Sequence, residues 1–170
     1  RLNSVVSQFL NYAKPYTINL KTQDVNQVIE KAIAIVKASD RLGNISIEKE
    51  LRSDLPMVSI DAEQLVQVIL NITFNAIEAM PSGGTLIFRT SKIESSDGGA
   101  VGISIRDTGM GIKKDEIKNI FKPFFTTKER GVGLGLAICQ KIVKNHGGYI
   151  RVKSIPHQGS IFYIRLDVTH

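Results

Sequence analysis

Cysteine, tryptophan and long apolar runs are scarce or absent in this chain of 170 residues. The single cysteine, Cys139, excludes an internal disulfide framework and favours a reducing compartment, so we expect a cytoplasmic location. No apolar run approaches the about 20 residues that a membrane-spanning helix requires. The three histidines are scattered, which argues against a metal-binding cluster. Because the chain begins with Arg1 and not with methionine, we expect it to belong to a longer protein, whose anchoring in a membrane stays open.

The net charge is +6, and part of this surplus falls between Lys113 and Arg130, where six basic residues accompany three acidic ones. A basic surplus can indicate nucleic-acid binding. However, the sequence has no motif of that kind and no interleaving of basic and aromatic residues. We therefore expect no nucleic-acid partner, and interpret the segment as a solvated basic surface beside a small anionic ligand.

The spacing of apolar residues predicts both helices and strands. Helical spacing over 1–14 stops at Pro15, and a polar connector follows over 15–23. Asp24 and Asp61 are suited to cap the next two helices. Helices are predicted over 25–39, 61–80, 113–120 and 133–145, and strands over 45–51, 56–60, 86–91, 101–106, 149–154 and 160–168. Because helices are segregated from runs of strands, we expect an α+β two-layer sandwich.

The predicted helix over 61–80 has an unusual polar face. Asn71 and Asn75 lie one turn apart and point in the same direction, although asparagine is a mediocre helix former. A carboxamide oxygen is a neutral, hard ligand that suits Mg²⁺ already held by phosphate oxygens. The alternative is an exposed polar helix face with no ligand.

A predicted strand ends at Asp107 and continues into a turn with Gly109 and Gly111. The Asp107 carboxylate can accept a hydrogen bond from the exocyclic amine of adenine, whereas guanine presents a carbonyl oxygen there and would be disfavoured. An ordinary turn is the alternative, because Asp and Gly are common in turns. The letters Asp-Thr-Gly also occur in aspartic proteases, but Met110 departs from that pattern and a second motif is missing.

Glycines at 131, 133 and 135 precede the last predicted helix. Glycines before a helix N-terminus expose backbone N–H groups that suit phosphates. The segment is neither a P-loop nor a dinucleotide fingerprint, since no Lys-Ser/Thr follows and Leu136 replaces the third glycine. The preceding residues, 121–130, are aromatic and then polar, and could form a mobile lid with Lys128 or Arg130 near phosphates. The alternatives are a flexible glycine loop and an anchored surface loop.

In this order the motifs resemble the four nucleotide-binding boxes of sensor histidine kinases. They are Asn71-x-x-x-Asn75-Ala76, Asp107-x-Gly109-x-Gly111, Phe121-x-Pro-Phe124 and Gly131-x-Gly133-x-Gly135-Leu136. That family shares the Bergerat ATP-binding fold with DNA gyrase B, Hsp90 and MutL. The resemblance covers about residues 20–168 and implies a mixed five-stranded sheet covered on one face by three helices. The segments from Glu78 and around Phe125 are most similar to nitrogen-regulator and sporulation kinases.

The resemblance also implies roles for individual residues. Asn75 would ligate Mg²⁺, Asn71 would lie near phosphate or a metal-bound water, and Asp107 would bind the adenine amine. Asn71, Asn75 and Lys128 are the implied catalytic residues. The implied nucleotide-binding residues are Asn75, Asp107, Gly109, Gly111, Ile112, Phe121, Thr127, Lys128, Arg130, Gly131, Val132, Gly133, Leu134, Gly135 and Leu136.

The hydrolytic members of this group carry a glutamate at the position of Asn71, where it activates water as a general base. An amide cannot accept that proton, so we expect slow ATP hydrolysis. In histidine kinases the phosphoryl acceptor is a histidine on an upstream helical hairpin, which also forms a homodimer. The resemblance implies that 1–14 is the end of this hairpin, that 15–23 is a linker, and that 24–170 is the catalytic domain.

The acceptor motif of that hairpin is not found in this chain, and we interpret His146, His157 and His170 as structural or incidental. The implied partners are the hairpin and a response regulator. The remaining alternative is a nucleotide-binding interaction domain that regulates a partner, as in anti-sigma-factor relatives.

Overall fold

The structure is a computed structural model that describes residues 17–94, 99–128 and 131–168. Within these ranges the chain forms three helices and seven strands. The helices are α1 (Val25–Lys37), α2 (Ala62–Glu78) and α3 (Gly135–Asn145). The strands are β1 (Lys21–Gln23), β2 (Ile45–Glu50), β3 (Val58–Ile60), β4 (Gly84–Ile93), β5 (Ala100–Asp107), β6 (Tyr149–Ile155) and β7 (Gly159–Asp167).

Five strands form a mixed sheet in the order β2-β4-β5-β7-β6, and β1 pairs with β3 in a separate two-stranded sheet. Strands β2 and β4 are parallel, while the other neighbours in the large sheet are antiparallel. Buried and less buried residues alternate along most of β4 and β7, as a sheet with one covered face requires, whereas β5 in the middle of the sheet is buried at all but Ser104 and Arg106. The three helices lie on that face, with α2 between α1 and α3. The predicted α+β architecture is confirmed.

The first two helices begin where the sequence predicts them. The Asp24 carboxylate accepts a hydrogen bond from the Asn26 N–H at 2.8 Å, and the Asp61 carboxylate accepts one from the Gln64 N–H at 3.1 Å. Each bond satisfies an N–H group that the helix itself leaves unpaired. The apolar stripe of each helix is buried against the sheet, so local sequence and packing agree.

The structure corrects three predicted elements. Residues 21–23, inside the predicted connector, form β1, because β3 offers a pairing edge that is distant in sequence. The predicted helix over 113–120 is a series of turns, in which the Ile117 N–H bonds to the Lys113 carbonyl but regular helical bonding does not continue. Helix α3 begins at Gly135 and not at 133, because Gly133 has a φ of 72°. The helix predicted over 1–14 lies outside the described residues.

Within the described ranges, no helix is both long enough and apolar enough to cross a membrane. The free cysteine, Cys139, is fully buried on α3, and this burial raises the pKa of its thiol to about 12. The thiol therefore stays protonated at neutral pH and is a packing group of the core.

Candidate nucleotide-binding site

The polar stripe of α2 forms one wall of the site. Asn71 and Asn75 are half-buried, and Glu78 is exposed one turn further along the same face. The opposite face packs in the core and includes Leu65 and Ile72, neither of which is exposed. This packing fixes the direction in which the two amides point, so they are presented on a rigid element.

Asp107 lies at the end of β5 and is only 2% exposed. Its Oδ1 atom accepts hydrogen bonds from the Gly109 N–H at 2.9 Å and from the Ser160 N–H at 3.2 Å. Burial raises the pKa of the Asp107 carboxyl above its usual value, and the two backbone donors oppose that rise. Because both bonds involve Oδ1, the Oδ2 atom can accept a hydrogen bond from a ligand amine.

The turn that follows Asp107 packs against the end of α2. A side chain at Gly109 would place its Cβ 2.5 Å from the Ala79 carbonyl oxygen, which also accepts the Met110 N–H at 3.0 Å. Gly111 has a φ of 69°, and a Cβ there would collide with the Ile155 carbonyl oxygen. These two glycines thus allow close contact with protein backbone, which ties the Asp107 turn to α2 on one side and to β6 on the other.

The last glycine motif lies beside the first amide of α2. An ideal Cβ at Gly135 would be 3.9 Å from the Asn71 side-chain carbon Cγ, so the start of α3 faces Asn71. Leu134, which precedes α3, makes no side-chain capping bond. The first N–H groups of α3 therefore lack a side-chain cap, and this is the arrangement that binds anions at a helix start.

The predicted lid contacts the second amide of α2 through Lys128. The Lys128 Nζ atom donates a hydrogen bond to Asn75 Oδ1 at 2.7 Å and forms a short ion pair with Glu78 Oε2. From residue 114 the segment consists of turns and irregular backbone, as its lack of periodicity predicts for 122–128. Phe121 and Phe125 pack against the core and anchor it, whereas Phe124 is 59% exposed.

The other predicted site residues have different surroundings. The Phe121 ring packs edge-on against Phe162 of β7 with the ring centres 6.5 Å apart, and the Leu134 side chain is fully buried. A ligand contact of Leu134 is therefore restricted to its backbone. Ile112 and Val132 are partly buried against the core, and Thr127 is exposed. Arg130 lies outside the described residues, Gly131 is exposed, and Leu136 is partly buried against the core.

Two residues join the site without having been predicted for it. Ser160 supplies a backbone donor to Asp107 from β7, and no motif in the sequence could have indicated this contact. The spacing of Glu78 places it on the same polar face of α2 as Asn75. Only the structure shows that Lys128 contacts both side chains. In both cases the partner is more than 45 residues away in the sequence.

A groove of about 640 Å³ runs along α3, and neither the α2 amides nor Asp107 line it. Phe121 is the one predicted site residue among those that line it. Its other lining residues are Pro123, Ala137, Gln140, Lys141, Lys144, Gly148, Tyr149 and Ile150. The groove is open and lacks a buried acceptor comparable with Asp107, so we place the candidate site at α2.

The described histidines have structural surroundings. His146 is 1% exposed and follows α3, where its Nδ1 lies 2.8 Å from the Ile142 carbonyl oxygen. Its Nε2 accepts the Asp61 N–H at 3.0 Å, which assigns the proton to Nδ1. His157 lies in the turn between β6 and β7 with a φ of 64°. The interpretation of these two residues as structural agrees with this geometry, and His170 lies outside the described residues.

Comparison with known proteins identifies the family. Residues 60–170 match the family described as "Histidine kinase-, DNA gyrase B-, and HSP90-like ATPase". The chain belongs to this family. The matched region contains α2, the Asp107 turn, the lid and α3. The match confirms the predicted resemblance to the ATP-binding domain of sensor histidine kinases.

The most similar relatives within the family include two kinases of Bacillus subtilis (strain 168). Sporulation kinase C is 41% identical over 169 residues, and sporulation kinase E is 40% identical over 168 residues. Each alignment covers 99% of this chain but only 39% and 22% of the respective kinase. The chain therefore spans well under half the length of these relatives.

Solved structures of family members agree with the fold. Full-length ShkA in complex with AMPPNP has a TM-score of 0.83 and 29% identity, and the match covers 97% of this chain and 35% of that one. Histidine kinase ThkA in complex with the response regulator protein TrrA has a TM-score of 0.82 and 28% identity. That match covers 99% of this chain and 48% of the other chain.

Proposed function

We propose that this domain binds ATP with Mg²⁺ and transfers the γ-phosphoryl group to a histidine on a helical hairpin that precedes it in a longer protein. The observation that carries the proposal is that three separate motifs converge on α2, which carries the fourth. Asn71 faces the start of α3, Asn75 contacts the lid lysine, and the Asp107 turn packs against Ala79.

Asp107 holds the adenine end in this proposal. Its buried carboxylate is positioned by two backbone donors and can accept a hydrogen bond from the exocyclic amine. At the other end, the N–H groups at the start of α3 bind phosphate oxygens, and Lys128 supplies a positive charge close by. The two ends of the nucleotide are thus recognised by different chemistry.

Asn75 is the residue that would hold the metal. Within the described part of the chain, no group of three or more His, Cys, Asp or Glu side chains could hold one. Mg²⁺ commonly takes few protein ligands and completes its coordination with phosphate oxygens and water. The Asn75 oxygen fits this role because it already attracts a cation, the Lys128 ammonium group. The metal would supply charge neutralisation on the phosphoryl group.

The reaction breaks the bond between the γ-phosphorus and its bridging oxygen and forms a bond from that phosphorus to an imidazole nitrogen. ADP is the other product. Asn71 faces the start of α3, where the phosphates would bind, and its amide cannot remove a proton from water. The geometry therefore favours transfer to a protein nucleophile over hydrolysis.

The proposed partners follow from the same function. Residues 1–14 would end the acceptor hairpin, residues 15–23 would link it to the catalytic domain, and the hairpin would make the longer protein a homodimer. A response regulator would receive the phosphoryl group, since ThkA has been solved in complex with one. We place the reaction in the cytoplasm, where ATP is available.

The test is autophosphorylation of the longer protein with γ-labelled ATP and Mg²⁺. We expect an acid-labile, base-stable label on a histidine of the hairpin. Asn75→Ala should abolish the label, and should weaken Mg²⁺-ATP binding about tenfold or more, while leaving the fold intact, because Asn75 lies on the polar face of α2.

Gln67→Ala is the matched control, since Gln67 lies two turns before Asn75 on the same helix and is also half-buried. This variant should bind and react like the wild type. Tight nucleotide binding by the longer protein without any labelled histidine would contradict the kinase and favour a regulatory nucleotide-binding domain.

A further inference from the structure

Three polar groups meet where the metal would be held. Asn75 and Glu78 are three residues apart on α2 and therefore lie on one face of the helix. The Lys128 ammonium group bridges them, at 2.7 Å from Asn75 Oδ1 and in direct contact with Glu78 Oε2. The family motifs account for Asn75, and a glutamate at this place has no role in the reaction proposed above.

We propose that Lys128 occupies the metal position at Asn75 in the nucleotide-free domain, that Glu78 anchors it there, and that Mg²⁺-ATP must displace it. The inference rests on the proposed function, because it takes Asn75 as the metal ligand. Glu78 is then a positioning residue: it holds Lys128 at Asn75, and it touches neither nucleotide nor metal.

The two cations exclude one another. An ammonium group at 2.7 Å from Asn75 Oδ1 fills the space in front of that oxygen. Mg²⁺ binds oxygen ligands at about 2.0–2.1 Å and requires near-octahedral coordination, which leaves no room for a second positive group on the same side. Binding of the metal at Asn75 thus requires Lys128 to leave, and the released ammonium is then close to the arriving phosphates.

The anchor also affects which form of ATP can bind. Once Lys128 leaves, the Glu78 carboxylate has lost its cation and faces the phosphate end of the nucleotide. Metal-free ATP brings more negative charge to this place than Mg²⁺-ATP, so repulsion by Glu78 acts mainly against the metal-free form. Glu78 therefore makes nucleotide binding depend more strongly on Mg²⁺.

The expected effects are moderate because the pair is half-exposed. The side chains of Lys128 and Glu78 are 46% and 52% exposed. Ion pairs with such exposure change an equilibrium by about two- to fivefold. An effect of this size is measurable by calorimetry and is smaller than the loss expected when a direct metal ligand is removed.

The experiment compares Glu78→Gln, Lys128→Gln and the double variant with the wild type. Glu63→Gln is the control, because Glu63 is an exposed glutamate on the same helix, in its first turn. Each protein is titrated with ATP in Mg²⁺ and with ATP in a chelator. Amide exchange of residues 126–128 is measured without nucleotide.

We expect Glu78→Gln to lower the Kd of Mg²⁺-ATP about two- to fivefold and that of metal-free ATP by more. Glu78→Gln should also make amide exchange at 126–128 faster. In the Lys128→Gln background, Glu78→Gln should leave amide exchange at 126–128 unchanged. Glu63→Gln should match the wild type.

Two results would overturn the inference. If Glu78→Gln weakens Mg²⁺-ATP binding tenfold or more, Glu78 is itself a ligand; if it behaves like Glu63→Gln, the anchor has no role. Either result is compatible with normal Mg²⁺-ATP binding by the wild type, so it would not affect the proposed function. Failure of the wild type itself to bind Mg²⁺-ATP would refute the proposed function.

Discussion

The burial of Asp107 has a consequence for the pH dependence of adenine binding. Desolvation raises the pKa of this carboxyl above its usual 3.8, because burial disfavours the charged form. Because Oδ1 already accepts two backbone hydrogen bonds, a proton on this carboxyl would sit on Oδ2 and turn that atom from an acceptor into a donor, so the proposed bond to the adenine amine requires the deprotonated form. Affinity is therefore present at pH values above the raised pKa and is lost as the pH falls through it.

Adenosine binding tests this pH dependence, because adenosine carries no phosphate that titrates. We expect its affinity, followed by NMR titration, to decline as the pH is lowered from 7 towards 4, before an ordinary aspartate would be half protonated. Asp107→Asn should bind adenosine weakly at all these pH values. A wild-type affinity that stays constant down to pH 4 would contradict the assignment of Asp107.

Selection of the base is a second property of this carboxylate. Guanine presents a carbonyl oxygen where adenine has an amine, so GTP would leave the buried Asp107 charge opposite another acceptor. An unpaired buried charged group costs about 1–3 kcal/mol or more, which corresponds to about 5- to 150-fold in affinity. Calorimetry with ATP and GTP measures the ratio, and equal affinities would remove the basis of the adenine assignment.

Helices α2 and α3 are joined at the ends that lie away from the nucleotide. His146 follows α3 and binds both the Ile142 carbonyl of that helix and the N–H of Asp61, the N-cap of α2. The ring is buried, so each nitrogen needs the partner that it has. This contact fixes the two helices relative to each other, and they carry Asn75 and the N–H groups that we propose bind phosphate.

We therefore expect His146→Ala to lower the free energy of unfolding by about 3 kcal/mol, through lost hydrogen bonds and a cavity. Thermal unfolding should show a Tm lower by about 6–12 °C for a domain of this size. His157→Asn is the control, since His157 is exposed and asparagine tolerates its positive φ. If both variants unfold at the wild-type temperature, the contact does not stabilise the domain.

The lid is held at its start and interacts with α2 at its end. Phe121 and Phe125 pack in the core, whereas residues 126–128 are exposed and their contacts include the Lys128 pair. We expect hydrogen exchange to be fast at 126–128 and 131–132 without nucleotide and slower with Mg²⁺-ATP, because phosphate contacts would order this segment. Slow exchange there that ATP leaves unchanged would argue against a lid.

Local sequence patterns predicted most elements, because caps and apolar periodicity act within one helix or strand. The caps at Asp24 and Asp61 show this, and so does the long helix that carries both amides. The sequence could not indicate β1, since its three residues have no alternation and depend on β3. The turns over 114–120 were mistaken for a helix, since a short segment with little core contact gains too little from helical bonding.

For the whole site, the motifs predicted which residues converge but not the contacts that hold them. Gly109 and Gly111 were interpreted as shaping a nucleotide pocket, and the structure shows that they pack against the backbone of Ala79 and Ile155. The Lys128 bridge depends on a pairing across 50 residues, which no local pattern encodes. Contacts between residues far apart in the sequence are thus the part of the site that could not be predicted.

At the scale of the whole molecule, the isolated chain of 170 residues should turn ATP over very slowly. Asn71 provides no base for water. The His146 ring is held by the Asp61 N–H and the Ile142 carbonyl, while His157 lies in the turn between β6 and β7. Incubated with γ-labelled ATP, the chain should retain no covalent label. Brisk hydrolysis would show that another residue replaces the glutamate of the hydrolytic members, and label on His146, His157 or His170 would identify a different acceptor.

The packing of Gly109 against Ala79 has one more consequence, which concerns length. Ala79 follows Asn75 by four residues, or about 6 Å along the helix axis, so the chain itself sets the position of the Asp107 turn relative to the Asn75 amide. In the binding mode proposed above, Asp107 holds the base and Asn75 holds the metal, so the domain would act as a molecular ruler for adenine nucleotides. AMP has no β- and γ-phosphates to bring a metal to Asn75, so we expect it to fill the Asp107 pocket while Lys128 stays on Asn75.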